Sequence, residues 1–248
     1  MERQRKVRRR RALDMLFRCL LLAVLVMIPV CGYEGYKYYR AWQDYENTPE
    51  MSEIPATQEL EILEGDPEVW PDSSLFVERN RAEFKSGDLR LVIPRMGVED
   101  EVMDGTDRSA LKKGPGLYTV AQMPSIDPQV RANTSIAAHR AGYGRYGNLF
   151  REVETLKDGD LCYLQDRQWI YVYRYGKTRI TVPEDISVLY LQDVPCLTLT
   201  SCHPLGENSQ RIVVTCPQMG AFPVTEDFPY PVTEEELEAW LEAAEPAP

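Results

Sequence analysis

Histidine is almost missing from this chain, with only His139 and His203 in 248 residues. Chemistry that needs an imidazole must use one of these two positions. Cysteine is scarce as well. Of six, Cys19 and Cys31 fall in an apolar run near the N-terminus, and Cys162, Cys196, Cys202 and Cys216 are too sparse for a disulfide scaffold. Basic residues are depleted outside residues 1–11, which hold seven of them (Arg3, Arg5, Lys6, Arg8, Arg9, Arg10, Arg11) against Glu2. The chain totals −11 and its first 33 residues total +6, which leaves −17 on residues 34–248. A surface that acidic excludes nucleic acid as a partner, because neutralising phosphates takes lysine and arginine. There is no internal repeat or low-complexity tract, which excludes a solenoid.

What is present begins with CLLLAVLVMIPVCGY, residues 19–33. A membrane helix needs about 20 apolar residues, and with Arg18 snorkelling toward the headgroups the stretch from about Leu13 to Tyr33 reaches that length. No small-x-small cleavage site precedes Tyr33, and Tyr33, Tyr36, Tyr38, Tyr39 and Trp42 form an interfacial belt. These features predict an uncleaved signal anchor, with the basic residues inside and the acidic body outside the cytoplasm. The expected organisation is a cytoplasmic basic segment (1–11), a transmembrane anchor (12–33), a proline-bearing linker (34–74), a β-rich domain (75–222) and an acidic tail (223–248).

Residues 75–86 could open the domain with a short helix. After Leu89 come short runs rich in β-branched and aromatic residues: 90–94, 133–139, 160–164, 168–175, 178–182, 186–191, 196–202 and 210–216. Their spacing suggests a closed barrel or a sandwich. In the tail, Thr233 and Glu236 form a capping box, and Leu237, Trp240, Leu241 and Ala244 share one face of a short amphipathic helix, most simply one that packs on the barrel. No second membrane span is expected after it.

The run LTLTSCHPLGENSQRIVVTCP (197–217) stops at Cys202, loops, and restarts at Arg211. A free thiol with a pKa of about 8.5 needs a base or a nearby cation to act as a nucleophile. Neighbouring strand residues face opposite ways, so His203 is poorly placed to reach the sulfur. His139 closes an apolar strand and opens a glycine-rich loop, as residues at a barrel rim do. In a regular antiparallel ladder, opposed residues have a constant index sum. Opposing Cys196 to Cys216 gives 412, and Arg211 then faces away from Cys202; opposing Cys202 to Arg211 gives 413, and Cys196 and Cys216 then point apart. Without a bulge the two pairings exclude each other.

Three segments in this order resemble the sortase family. TLTSC (198–202) is similar to its Thr-Leu-x-Thr-Cys motif with Ser201 in place of the last threonine. AAHR (137–140) resembles its catalytic-histidine segment, and Arg211 stands where the family has its arginine. The resemblance implies an eight-stranded, closed sortase-type β-barrel with short helices, mostly β, behind the transmembrane helix. It further implies that Cys202 attacks the threonine carbonyl of an LPxTG-like sorting signal to form a thioacyl-enzyme. His139 would then protonate the departing amine, while Arg211 holds the substrate backbone or the developing oxyanion. Thr200 and Ser201 would touch substrate. An amine, from a pilin lysine or a cell-wall precursor, would resolve the thioester. No cofactor, nucleotide or metal is implied, because the thioester conserves the bond energy.

Pro204, Gly206, Asn208, Ser209 and Arg211 resemble the segment after the cysteine in pilin-polymerising, class C enzymes. KKGPGLY (112–118) and NLFREVETLKDGD (148–160) resemble that group too. Its lid motif has a partial counterpart in GDPEVWPD (65–72), where Asp66 would approach Arg211 or Cys202 and Trp70 would cover the cleft. Two other function classes fit the residues. An exported cysteine hydrolase or protease would resolve the thioester with water, and a non-catalytic, membrane-tethered β-domain would bind wall material with an inert Cys202. Cell-wall L,D-transpeptidases also use cysteine, histidine and arginine, but Ser201 and His203 do not fit their pattern around the cysteine.

Overall fold

The computed structural model describes residues 2–46 and 84–244 and falls into two compact units that divide after Gln43. The first unit is formed by helix α1 (Glu2–Glu46), with Pro29 inside it. Met15–Tyr33, with a mean hydropathy of 2.4 and none of it buried, is long and apolar enough to cross a membrane. Residues 47–83 lie outside the described residues. They include Asp66 and Trp70 and most of the expected helix at 75–86, whose described end, residues 84–86, is not helical.

The second unit is a barrel-like sheet. Its strands are β1 (Arg90–Ile93), β2 (Val98–Glu101), β3 (Met103–Asp104), β4 (Gly116–Leu117), β5 (Asn133–Ala137), β6 (Leu161–Gln165), β7 (Trp169–Arg174), β8 (Lys177–Thr181), β9 (Cys196–His203) and β10 (Gln210–Pro223). They pair in the order β2-β1-β6-β7-β10-β9-β5-β4-β3, with β8 also on β10. The two ends of that path, β2 and β3, are separated in the chain only by Val102, so the covalent backbone nearly closes the sheet. Leaving out the two-residue strands β3 and β4, eight strands remain, the number the resemblance implied; seven were among the runs read from the sequence, and β2 was not.

Alternation explains the interior. On β9, Leu197 and Leu199 enter the main core with Ile136 of β5 and Ile212 and Val214 of β10, while the residues between them turn to the outer face. Strand β10 is long because it changes partner: its first half pairs with β9 and β8, and beyond an irregularity at 218–220 it pairs with β7. A second apolar cluster lies on the outer face of β1, β6 and β7, where Val92, Leu161, Tyr163, Ile170 and Val172 meet Phe228 and Leu237. Helix α4 (Glu234–Ala244) covers this patch with Leu237, Trp240 and Leu241. Its cap forms as read, since the Glu236 amide donates to the Thr233 hydroxyl. The reciprocal bond comes from the Val232 amide to the Glu236 carboxylate, one residue earlier than in the standard box.

The strand expected at 186–191 is not one. Ile186–Leu189 is a 3₁₀ turn. Asp185 caps it by accepting from the Ser187 amide, and side chains take the carbonyls a ladder would have used: Asn133 donates to Val188 and Tyr190, and Ser135 donates to Val188. The segment therefore lies across the sheet face as a wall.

Candidate active site

Strand register builds the site. Antiparallel pairing of β9 with β10 sets Cys202 opposite Arg211, the 413 register, and Cys196 and Cys216 are free thiols on opposite faces. Parallel pairing of β5 with β9 sets Ala137 level with Thr200, and the ladder runs on through the Ala138 amide to the Thr200 carbonyl. The same offset carried two residues further sets His139 level with Cys202. Three adjacent strands thus end in a row of His139, Cys202 and Arg211 on one face. Neighbouring strands lie about 4.8 Å apart, so one substrate carbonyl can meet all three side chains.

All three are secluded. His139 is 8% exposed, Cys202 2% and Arg211 5%. The Arg211 guanidinium is fixed from behind by donating Nη1 hydrogens to the carbonyls of Gln210 (2.9 Å) and Asn208 (3.2 Å). Asn208 has φ of 57°, a left-handed conformation that asparagine tolerates better than most residues. The loop residues after Cys202 thus have a physical task, which is to turn a carbonyl toward Arg211.

The electrostatics set the resting protonation. Burial pushes the Cys202 thiol above its ordinary value, and the charges of Arg211 and then Arg140 pull it part of the way back. Burial lowers His139 to about 4, helped by the charges of Arg108 and Lys112, which flank the one-turn helix α2 (Arg108–Leu111). The resting pair is thiol and neutral imidazole.

This makes stability depend on pH. An unfolded histidine titrates near 6.5, so between about 6.5 and 4 the unfolded chain binds the proton that folded His139 refuses, and stability falls as pH falls through that window. Urea unfolding of the full chain in detergent should show wild type losing about 2 kcal/mol more than His139→Gln between pH 7 and pH 5. Equal losses in the two proteins would show that burial does not hold His139 neutral.

Beside the row runs a cleft lined by Tyr118, Thr181, Pro183, Glu184, Asp185, Ile186, Val188, Leu189, Thr200 and Arg211. Its floor is the outer face of β9 and β10, and its wall is the 3₁₀ segment. Asp185 holds that wall: burial opposes its charge, but hydrogen bonds from Ser187, Thr181 and Arg179 bring it down to about 2. Thr200 lines the cleft. Ser201, expected to touch substrate, points the other way, fully buried, with its hydroxyl donating to the Ala138 carbonyl at 2.5 Å. Period-2 alternation sends it there, and its hydroxyl joins β9 to β5.

Tyr118 escaped the sequence reading, although it ends the quoted segment KKGPGLY. Its phenol lies near Thr200, Arg211 and Cys202; burial pushes it up to about 12. Its approach depends on Gly116, where a Cβ would stand 2.2 Å from the Gly105 carbonyl oxygen. Among the described residues, no group of three or more metal-ligating side chains exists.

Residues 91–219 match the family model described as Sortase domain. The chain is 26% identical over 204 residues to Sortase D of Bacillus subtilis (strain 168), covering 78% of this chain and 94% of that one. It is 23% identical over 201 residues to Sortase A of Bacillus anthracis, covering 78% and 91%. Among solved structures, sortase E from Streptomyces avermitilis matches with a TM-score of 0.50 at 28% identity, over 58% of this chain and 95% of that one. Sortase C-3 from Streptococcus pneumoniae matches with a TM-score of 0.51 at 22% identity, over 64% and 70%.

Proposed function

Because the chain belongs to the sortase family, whose members are cysteine transpeptidases, we propose that Cys202 cleaves an LPxTG-like sorting signal and passes its acyl group to a primary amine. The observation that supports this best is the register that sets Cys202 opposite Arg211 and leaves His139 two residues past the last pair of the neighbouring strand. The thiol proton moves to His139 as sulfur attacks the threonine carbonyl. Arg211 donates to the oxygen that gains charge. The carbon–nitrogen bond then breaks, the imidazolium returns its proton to the leaving amine, and a thioester remains. The incoming amine attacks that thioester, loses a proton to His139, and leaves an amide and the free thiol.

The cleft fits the upstream half of such a signal. Pro183, Ile186, Val188 and Leu189 offer an apolar wall for leucine and proline side chains, and Tyr118, Thr200 and Arg211 offer polar groups at the end nearest the sulfur. Helix α1 supports anchoring in a cell membrane, with its basic end cytoplasmic and the barrel outside. The loop from Pro204 to Arg211 resembles that of pilin-polymerising sortases and supports a pilin lysine as acceptor, with a cell-wall amine as the competing acceptor.

The test incubates the full chain in detergent with LPxTG-like peptides and either a pilin-type lysine peptide or triglycine, with mass spectrometry of the products. An amide joining the cleaved signal to one of these amines is the expected result, and the better amine identifies the acceptor class. Release of free acid alone, at every amine concentration, would replace transpeptidase by hydrolase. No cleavage of any peptide would favour a binding domain.

A further inference from the structure

The residue after His139 brings a second guanidinium to the nucleophile from the side opposite Arg211. Arg140 is 1% exposed, a rare depth for arginine. Its Nη1 donates to the Cys202 carbonyl (3.4 Å) and to Nδ1 of His203 (3.0 Å), and Nε donates to the Arg151 carbonyl (3.4 Å). Arginine has no acceptor, so in this contact Nδ1 of His203 accepts. Nη2 stands 2.5 Å from a Glu154 oxygen but makes no directed hydrogen bond; the contact is Coulombic. The Glu154 side chain is 53% exposed, so water weakens its hold on the buried charge.

A buried cation needs a reason to stay charged and fixed. Here it joins the segment after β5, which carries His139, to the end of β9, which carries Cys202, past the last pair of the β5–β9 ladder at Ala137 and Thr200. We propose that Arg140 is a positioning residue for Cys202: it clamps the nucleophile's backbone to the histidine-bearing strand end and sets a second buried positive charge beside the sulfur, with Glu154 determining how much of that charge the sulfur feels. The other charged or titratable groups acting on the sulfur are Arg211 from β10 and Tyr118 from beyond β4; His139 follows the neighbouring strand β5, where Arg108 of α2 and Lys112 just after it act on it. This inference rests on the reading of Cys202 as the nucleophile.

The experiment compares Arg140→Gln, Arg140→Lys and Glu154→Gln with wild type, full-length in detergent. It measures the pH dependence of Cys202 alkylation by iodoacetamide, kcat and KM with a sorting peptide, and thermal melting. Glu154→Gln removes only the partly exposed counter-charge, so its alkylation midpoint should fall by about half a pH unit. Arg140→Gln should raise the midpoint and cut kcat about 10- to 100-fold with KM held within about twofold, since the geometry of the reacting group is disturbed more than substrate binding. Arg140→Lys should return the midpoint toward wild type without restoring kcat, since lysine keeps the charge but not the fork.

An unchanged midpoint in Glu154→Gln overturns the proposal, including when Arg140→Gln fails to fold. So does an Arg140→Gln protein whose loss of kcat matches its loss of folded fraction. Alkylation needs no substrate: shifted midpoints with no turnover on any peptide would sink the transpeptidase reading and leave Arg140 acting on the thiol, whereas turnover with unmoved midpoints would sink this inference alone.

Discussion

Cys202→Ala is expected to lose at least about 10⁴-fold in the rate of sorting-signal cleavage, as removal of a nucleophile does when the other groups of the site act only through it. In the proposed mechanism Arg211, His139 and Tyr118 orient and charge the reaction, and the sulfur of Cys202 alone carries the acyl group. The variant should still fold. Cys202 points to the cleft face, outside the main apolar cluster, and loss of its sulfur leaves a gap costing about 1 kcal/mol. Intact-mass spectra supply the second readout: wild type incubated with signal and no amine should carry the acyl mass, and Cys202→Ala should carry none. Cleavage by the alanine variant at a rate within tenfold of wild type would move the nucleophile elsewhere. Cys162, Cys196 and Cys216 are poor substitutes, since all three are buried; the neighbouring Cys216 thiol and then burial hold the Cys162 thiol well above its ordinary value, and burial raises that of Cys196.

The site was legible because strands obey simple counting. Counting reduced the hairpin to two registers, 412 and 413, that exclude each other; the resemblance, by joining Arg211 to Cys202, favoured the second, and the structure has that register. Counting fails where side chains replace the ladder. Ile-Ser-Val-Leu-Tyr-Leu at 186–191 has the period and the apolar content of a strand, yet Asp185 caps it into a 3₁₀ turn and Asn133 and Ser135 bind its carbonyls. Those partners lie 53 to 57 positions away along the chain, beyond the reach of any local pattern. The end of β10 was read short for a different reason: Pro217 cannot donate to a ladder, but the strand continues by changing its partner to β7. Arg140 lies within AAHR, but nothing local in the sequence says that a guanidinium will be buried against a strand 62 residues later.

Arg211→Lys should be nearly as inactive as Arg211→Ala, with kcat reduced about 10²- to 10³-fold, the range for loss of one preorganised donor to a developing oxyanion. The charge alone is not what the structure arranges. Arg211 uses Nη1 to satisfy the carbonyls of Asn208 and Gln210, which leaves the far side of the fork to meet substrate. Lysine has three hydrogens on one nitrogen and no planar frame, so an ammonium turned to those carbonyls is drawn away from the cleft. KM should change much less than kcat, because in the proposed mode the apolar wall at Pro183, Ile186, Val188 and Leu189 holds the signal independently of the arginine. Steady-state rates on one peptide, with the alkylation midpoint of Cys202 measured beside them, separate the two duties of the guanidinium. Lysine at position 211 keeps a cation near the sulfur, so the midpoint should stay within about half a unit of wild type while kcat collapses. A lysine variant that retains more than about a third of wild-type kcat would show that a point charge suffices, and the role of Arg211 would then be to stabilise the thiolate and not the oxyanion.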